Sequence, residues 1–253
     1  MNKTVFLTLA ATSASLALAG AASAATNLVT NGGFESTSAG NGQVSFNTSL
    51  TGWSLAAPND SYTFVYAPGT ADTSGSQNQY GGPTTIWGPG NGVNNGLPAA
   101  SPDGGNFIAA DPSYDNNSPL SQTIDGLKAG GLYKVTFDWA AAQQYGFDGS
   151  TSEGWTVNLG SGPSQSTTAA AISNHGFSGW KTASFIFQAD GASDVLSFLS
   201  FANPSTGAPP FALLDGVSLT AVPEPAAWAI MLVGFGGIGA AIRARRKQAA
   251  ATA

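Results

Sequence analysis

The chain has 253 residues and no cysteine, and its 14 Asp and Glu against 8 Lys and Arg give a formal net charge of −6. The missing thiols exclude thiol catalysis, iron–sulfur clusters and zinc–thiolate sites. Between residues 25 and 221 the basic residues are Lys128, Lys134 and Lys181 alone against thirteen acidic ones, so this stretch carries −10 and repels nucleic acid and anionic surfaces.

At the N-terminus, Lys3 supplies a positive start, Val5 to Gly20 an apolar and small-residue core, and Ala22-Ser23-Ala24 an A-x-A cleavage site. Together they form a secretory signal peptide, and residues 1–24 are expected to be removed by the export signal peptidase with a cut after Ala24. Beyond Ala24 the chain reads at a period of two. In Tyr133-Lys134-Val135-Thr136-Phe137-Asp138-Trp139 the aromatic and β-branched residues take one parity and the polar ones the other, and Trp155, Val157 and Leu159 repeat this around Thr156 and Asn158. Further strands are expected at 28–30, 62–66, 106–110, 120–124, 181–188, 195–201 and 211–220. Gly, Pro, Asn and Ser recur too often between 26 and 222 for a helix. Many short strands punctuated by turn residues predict an all-β fold, an antiparallel β-sandwich or jelly roll over 25–221. About 200 residues bury such a core without disulfides.

Residues 67–105 interrupt the pattern with a Gly/Asn/Pro/Ser-rich stretch holding Tyr80 and Trp87. A structureless loop of that length is uncommon in a compact domain; a short hairpin around Thr84 to Trp87 and a ligand-facing loop are both open readings. Tyr80, Trp87, Tyr114 and Tyr145 stand among polar residues outside the inward parities. As flat rings they suit stacking against sugars, with core packing or loop anchoring as the competing role. The single histidine, His175, lies in the turn-like Ser173-Asn174-His175-Gly176 and reads as a surface-loop residue. No G-x-S-x-G elbow or H-E-x-x-H motif is present, and Glu35 and Glu153 are the only glutamates of the domain. No catalytic residue is assigned, although the aspartates leave paired-carboxylate chemistry open.

The tail, 222–253, has its own logic. Val222-Pro223-Glu224-Pro225 precedes an uncharged run from Ala226 to Ile242, followed by Arg243, Arg245, Arg246 and Lys247. Two prolines around one carboxylate hold an extended segment. Seventeen uncharged residues make a helix of roughly 25 Å, at the lower limit for one transmembrane span. Its glycines are tolerated in a bilayer, Trp228 suits an interfacial anchor, and the basic cluster is expected to stay cytoplasmic.

Pro223-Glu224-Pro225-Ala226-Ala227-Trp228-Ala229, the glycine-rich run from Gly234 to Gly239 and the Arg243-x-Arg245-Arg246 stop together resemble the PEP-CTERM sorting signal in its PEPxxWA form. The resemblance implies recognition by exosortase, a membrane-embedded cysteine transpeptidase-like protease of exopolysaccharide-producing Gram-negative bacteria, with processing near Pro-Glu-Pro. It implies export, transient residence in the inner membrane, then the cell surface or extracellular layer.

A second resemblance rests on Asn27 to Glu35 with Gly52-Trp53, and on Phe211 to Leu219. These look like the opening and closing strands of galactose-binding-like jelly-roll domains, found in many carbohydrate-binding modules. In that family the Glu and Asp matching Glu35 and Asp215 often help hold a structural calcium ion, although the closing motif commonly has Asp-Asp where this chain has Asp215-Gly216. Parity points the same way: Phe211, Leu213, Asp215, Val217 and Leu219 share one side of an unbroken strand, which turns the carboxylate inward. A buried carboxylate needs a partner, and with three lysines in the domain calcium is the readier one; a bulge returning Asp215 to solvent is the alternative. The expectation is an exosortase-sorted structural or carbohydrate-binding protein of the exopolysaccharide matrix. A polysaccharide-active hydrolase and an adhesion or ice-binding surface are the alternatives.

Overall fold

The two longest alternating segments lie side by side. β8 (Leu132–Gln143) and β14 (Pro210–Ala221), twelve residues each, pair antiparallel at the heart of a six-stranded sheet. Its order is β1 (Gly42–Gln43), β3 (Thr63–Tyr66), β6 (Phe107–Ala110), β14, β8 and β12 (Lys181–Gln188). A second sheet runs β10 (Gln165–Ser166), β9 (Thr151–Leu159), β13 (Ser193–Ala202), β7 (Leu120–Asp125) and β2 (Ser54–Leu55), with β11 (Ala170–Ile172) also on β9. β4 (Ser76–Gln77) and β5 (Pro83–Thr84) form a separate hairpin. Every strand pairing is antiparallel, and the architecture is the antiparallel sandwich that the alternation predicts. This computed structural model describes residues 26–56, 61–112, 118–202, 208–223 and 234–244. The expected signal peptide, Tyr114, Glu224, Pro225, Trp228, Ala229, Arg245 and Arg246 lie outside the described residues.

The inner faces of the two sheets meet in one core that includes Trp53, Val135, Phe137, Trp155, Val157, Leu196 and Phe198. Phe198 is its hub, with ring centroids 5.1 Å from Phe137, 6.1 Å from Trp53 and 6.2 Å from Trp155. A second core lies on the outer face of the first sheet. There Phe64, Tyr66, Ala140, Ala142, Phe211 and Leu213 pack against Ala71, Ile86 and Leu97 of the 67–105 stretch. That stretch is therefore a cover rather than a loose loop. It carries the β4/β5 hairpin, slightly N-terminal to the one expected, and a 3-10 turn over Pro89–Asn91, the one helical turn of the described sandwich residues. Buried on both faces, the middle of the sheet uses small residues, with Ala109, Ala110, Ala140, Ala141, Ala142 and Ala212 all buried.

One expected strand is absent. Leu28–Thr30 makes a single ladder-like bond, Leu28 N–H to the Leu219 carbonyl at 2.9 Å. Side chains take the rest: Asn27 Oδ1 accepts from Val29 and Leu219 N–H, and the Gln122 amide pairs both N–H and C=O of Thr30. The three N–H groups and the Thr30 carbonyl are thus paired without a full ladder to a neighbouring strand. The segment is also held close, because a Cβ on Gly32 would stand 1.9 Å from the Val217 carbonyl oxygen.

The tail forms a helix over 234–244 whose residues are all exposed. No helix among the described residues is long and apolar enough to cross a membrane. Replacing Phe198 by Ala is expected to cost about 3–5 kcal/mol, the usual range for a buried aromatic truncated in a core, read from urea unfolding. A loss below about 1 kcal/mol contradicts the hub assignment.

Candidate functional site

Three chain segments meet beyond the C-terminal end of β8. The chain leaving β5 runs against the one leaving β8: Trp87 N–H donates to the Gln143 carbonyl at 2.9 Å and Tyr145 N–H to the Thr85 carbonyl at 2.8 Å. The turn after β11 is drawn in by the fully buried Gln143 side chain, whose Oε1 accepts from His175 N–H at 2.7 Å while its Nε2 donates to the Gly149 carbonyl at 3.2 Å. The Asn95 amide donates to the carbonyls of both Trp87 and His175, each at 2.8 Å. His175 takes a left-handed φ of 60°, uncommon for a residue with a side chain, and this orients its ring.

The result is a rim of rings. Trp87 stacks on His175 at 3.8 Å and 28°, and packs against Tyr145 at 4.4 Å and 55°. The indole is pinned by its N–H donating to the Phe147 carbonyl at 3.0 Å, and His175 Nε2 meets Asp148 Oδ1 at 2.7 Å. Tyr145 and Phe147 are exposed at 45% and 39%. Flat apolar faces bordered by Asp148, Asn174 and His175 make a surface on which a ring with one apolar and one hydroxylated side can stack and hydrogen-bond.

Of the four aromatics singled out in sequence, the structure brings Trp87 and Tyr145 together. Tyr80 is elsewhere, 68% exposed on the β4/β5 hairpin beside Tyr62, with a ring distance of 6.3 Å. Phe147 and His175 were not expected in this group. His175 does lie in a surface turn, but its ring packs on Trp87, and the bond from Gln143 that places it joins residues distant in sequence.

The second candidate centres on Asp215. The chain bulges between Asp215 and Ser218, with Gly216 at a left-handed φ of 58°, and the bulge divides the strand. Phe211 and Leu213 face the outer core, while Val217 and Leu219 face the inter-sheet core. The single parity expected for 211–219 is therefore broken, because the extra residue of a bulge switches faces. Asp215 stays fully buried even so, under the end of the 67–105 cover. Its Oδ2 accepts from the Ser101 hydroxyl and its Oδ1 has no hydrogen-bond partner. Burial pushes the Asp215 carboxyl up to about 8; bonds from Ser101 and Gly216 oppose this, and the charges of Asp103 and Glu35 add to it.

Glycines make room for this cluster. A Cβ on Gly33 would stand 3.0 Å from Asp103 Oδ2 and 3.9 Å from Asp215 Oδ1, and one on Gly105 would strike Glu35 Oε1 at 1.7 Å. Glu35 Oε1 accepts from Asn106 N–H at 2.7 Å. Glu35 and Asp215 are thus electrostatic neighbours, joined by Asp103 and Ser101 from a segment too irregular to single out in sequence. No three His, Asp or Glu side chains among the described residues are already arranged as a metal-binding group.

A third carboxyl is buried without full pairing. Glu153 on β9 lies on the inner face, with Oε2 unpartnered and Thr151 Oγ1 3.4 Å from Oε1. Burial pushes it up to about 8, against hydrogen bonds from Thr151 and Ala142 and with the charge of Asp111 adding.

Residues 221–247 match the family described as the PEP-CTERM protein-sorting motif. No curated protein matches the chain. Solved structures with some likeness include TmCBM61 in complex with beta-1,4-galactotriose, at 15% identity, 78% of this chain, 99% of that one and a TM-score of 0.37. They also include the CBM22-1 xylan-binding domain of Paenibacillus barcinonensis Xyn10C, at 13% identity, 81% and 99% coverage and a TM-score of 0.37. The sugar-binding EclA C-terminal domain shows 18% identity, 53% and 88% coverage and a TM-score of 0.33. Likenesses of this size assign no ligand.

The raised carboxyls carry a pH signature. An unfolded carboxyl loses its proton near pH 4, whereas folded Asp215 and Glu153 keep theirs to about 8. Between those limits the folded state binds the extra protons, so stability falls as pH rises, by up to roughly 1.4 kcal/mol per unit for each group. Chelator-treated protein is expected to melt higher at pH 5 than at pH 8, and Asp215→Asn to flatten the slope. An unchanged slope in that variant contradicts the assignment.

Proposed function

We propose that this protein is exported, held at the inner membrane of a Gram-negative bacterium by its tail, and processed by exosortase near Pro223-Glu224-Pro225. Its sandwich then serves as a non-catalytic glycan-binding part of the exopolysaccharide layer. The observation that carries the binding role is the Trp87–Tyr145–His175 rim. It exposes the Tyr145 and Phe147 rings beside the half-buried Trp87 and His175 at one end of β8, while the tail leaves beside the other end, where Val222 N–H donates to the Leu132 carbonyl at 2.8 Å. The rim thus points away from the membrane by about the length of a twelve-residue strand, roughly 37 Å.

Membrane residence rests on the tail's sequence, an uncharged run from Ala226 to Ile242 before a basic stop, because the described helix over 234–244 is by itself too short to cross. Phe235, Ile238 and Ile242 are each more than half exposed, and no glycine of the 234–244 helix has a neighbour within 4 Å of an added Cβ. Such a short, glycine-containing helix is marginal in water and suited to lipid. The buried carboxyls favour binding over hydrolysis. The two that keep a proton near neutral pH, Asp215 and Glu153, are fully buried, and a general acid must reach the bond it protonates.

Calcium belongs to the same reading as a structural ion. The orphaned Asp215 Oδ1 with the nearby oxygens of Asp103, Glu35 and Ser101 supports this, and these side chains would have to draw together to hold the ion. It would tie the end of the 67–105 cover and the Gly33–Glu35 segment to β14. Calcium is expected to raise the melting temperature of the native protein and to leave Asp215→Asn unmoved; equal shifts in both remove the ion from this cluster.

Trp87→Ala and Tyr145→Ala should each weaken binding to the producing organism's own exopolysaccharide about tenfold or more, as loss of an anchor aromatic does at other interfaces, while Tyr80→Ala leaves it unchanged. Affinity electrophoresis reads the retardation, and the polymer should keep its length. Native retardation of both rim variants, or shortening of the polymer, contradicts the proposal.

A further inference from the structure

The chain leaves the sandwich with almost no slack. Pairing with β8 lasts to Val222, and only Pro223, Glu224 and Pro225 separate it from the uncharged run that starts at Ala226. Even fully extended, Val222 to Ala226 spans at most about 14 Å, and the headgroup layer takes up about 6 Å of that. Whatever surrounds Val222 therefore lies next to lipid for as long as the tail is in the membrane.

The surroundings of Val222 are apolar. Lys134 is opposite both Thr220 on β14 and Ile186 on β12, and Leu132 is opposite Gln188. Opposed residues of an antiparallel pair point the same way, so Leu132, Lys134, Ile186 and Thr220 share the outer face. Leu132 and Ile186 are exposed at 47% and 52%, and Lys134, Ile186, Thr220, Ala221, Val222 and Pro223 line a shallow hollow. The 67–105 cover buries the far part of this face, around Ala140, Ala142, Phe211 and Leu213, and does not reach these residues. Asp125 and Asp194, paired through the β7/β13 ladder with Ser193 and Ile124, lie at this same end, as does Asp190. The attraction is therefore apolar, with the Lys134 stem lying along the patch and its ammonium free to reach headgroup oxygens.

We propose that the membrane-held form rests on the lipid surface through Leu132, Ile186 and Val222. This rests on the membrane-held tail proposed above. Because the contact is intramolecular, a weak patch is enough, the effective concentration across so short a tether being of millimolar order. The patch spans three adjacent strands, a width of about 10 Å, so a modest tilt on the tether seats it. Contact ends when the tail is cut, and the sandwich is released rim first into the matrix.

The chain has no cysteine, so single substitutions can carry an environment-sensitive dye. The full chain without its signal peptide, labelled at Ile186→Cys, Phe147→Cys or Ile238→Cys, is placed in phosphatidylcholine nanodiscs. The expected result is a blue shift at 186 that is quenched by headgroup spin labels, is lost when the tail is removed, and has no counterpart at 147. Adding Leu132→Asn to Ile186→Cys should reduce the shift with the melting temperature unchanged. A lipid-buried label at 238 with a water-like label at 186 overturns the docking alone. A water-like label at 238 overturns the membrane-held tail and the docking with it. A shift at 186 that needs co-reconstituted exosortase assigns the patch to the protease and overturns the lipid contact.

Discussion

The antiparallel pairing of β8 with β14 is the contact from which the other features take their places. Its inner side carries Val135, Phe137 and Leu219 into the inter-sheet core, and its outer side carries Ala140, Ala142, Phe211 and Leu213 under the 67–105 cover. One end of the pair leads through Gln143 to the aromatic rim, and the other ends at the Val222–Leu132 bond where the tail departs. Even the irregularity of the pair is used. The bulge after Asp215 passes the inward parity of the strand from Ala212 and Leu214 to Val217 and Leu219.

That arrangement explains how so acidic a sandwich tolerates buried carboxyls. With three lysines in the domain, ion pairing is scarce; among the described residues the close contact of opposite type is the exposed His175–Asp148 pair. Burial instead pushes the carboxyls of Asp215 and Glu153 up to about 8. Asp215 lies where the cover, the Gly33–Glu35 segment and β14 converge, so its charge state bears on how firmly the cover is held. The cover in turn supplies Trp87 to the rim, which links the carboxylate cluster physically to the proposed binding surface.

Much of the fold was legible because alternation is local. β12 has the expected bounds, and β8, β9, β13 and β14 extend the expected strands by a few residues. The two-residue strands carry no period to read. Leu28–Thr30 failed because the Asn27 and Gln122 side chains take bonds that a neighbouring strand would make, and the Gln122 contact is a long-range event that propensity does not record. Asp215 was read as buried, but through a parity that the bulge breaks. The Pro-Glu-Pro tail was legible as a motif because its order is contiguous. At the rim, Trp87 and Tyr145 were visible as candidates, whereas their meeting with His175 depends on Gln143 and Asn95 bridging distant segments, and Tyr80 was indistinguishable from them until placed on its hairpin.

The most direct test of the glycan-facing rim is to follow the indole N–H resonances of Trp53, Trp87, Trp139, Trp155 and Trp180 while the organism's own exopolysaccharide is titrated in. The account predicts a saturable shift of Trp87, with the buried Trp53 and Trp155 unmoved. Shifts centred on Trp139, on β8 opposite Lys181 of β12, would place binding elsewhere, and no shift at any indole would contradict the rim as a glycan-binding surface.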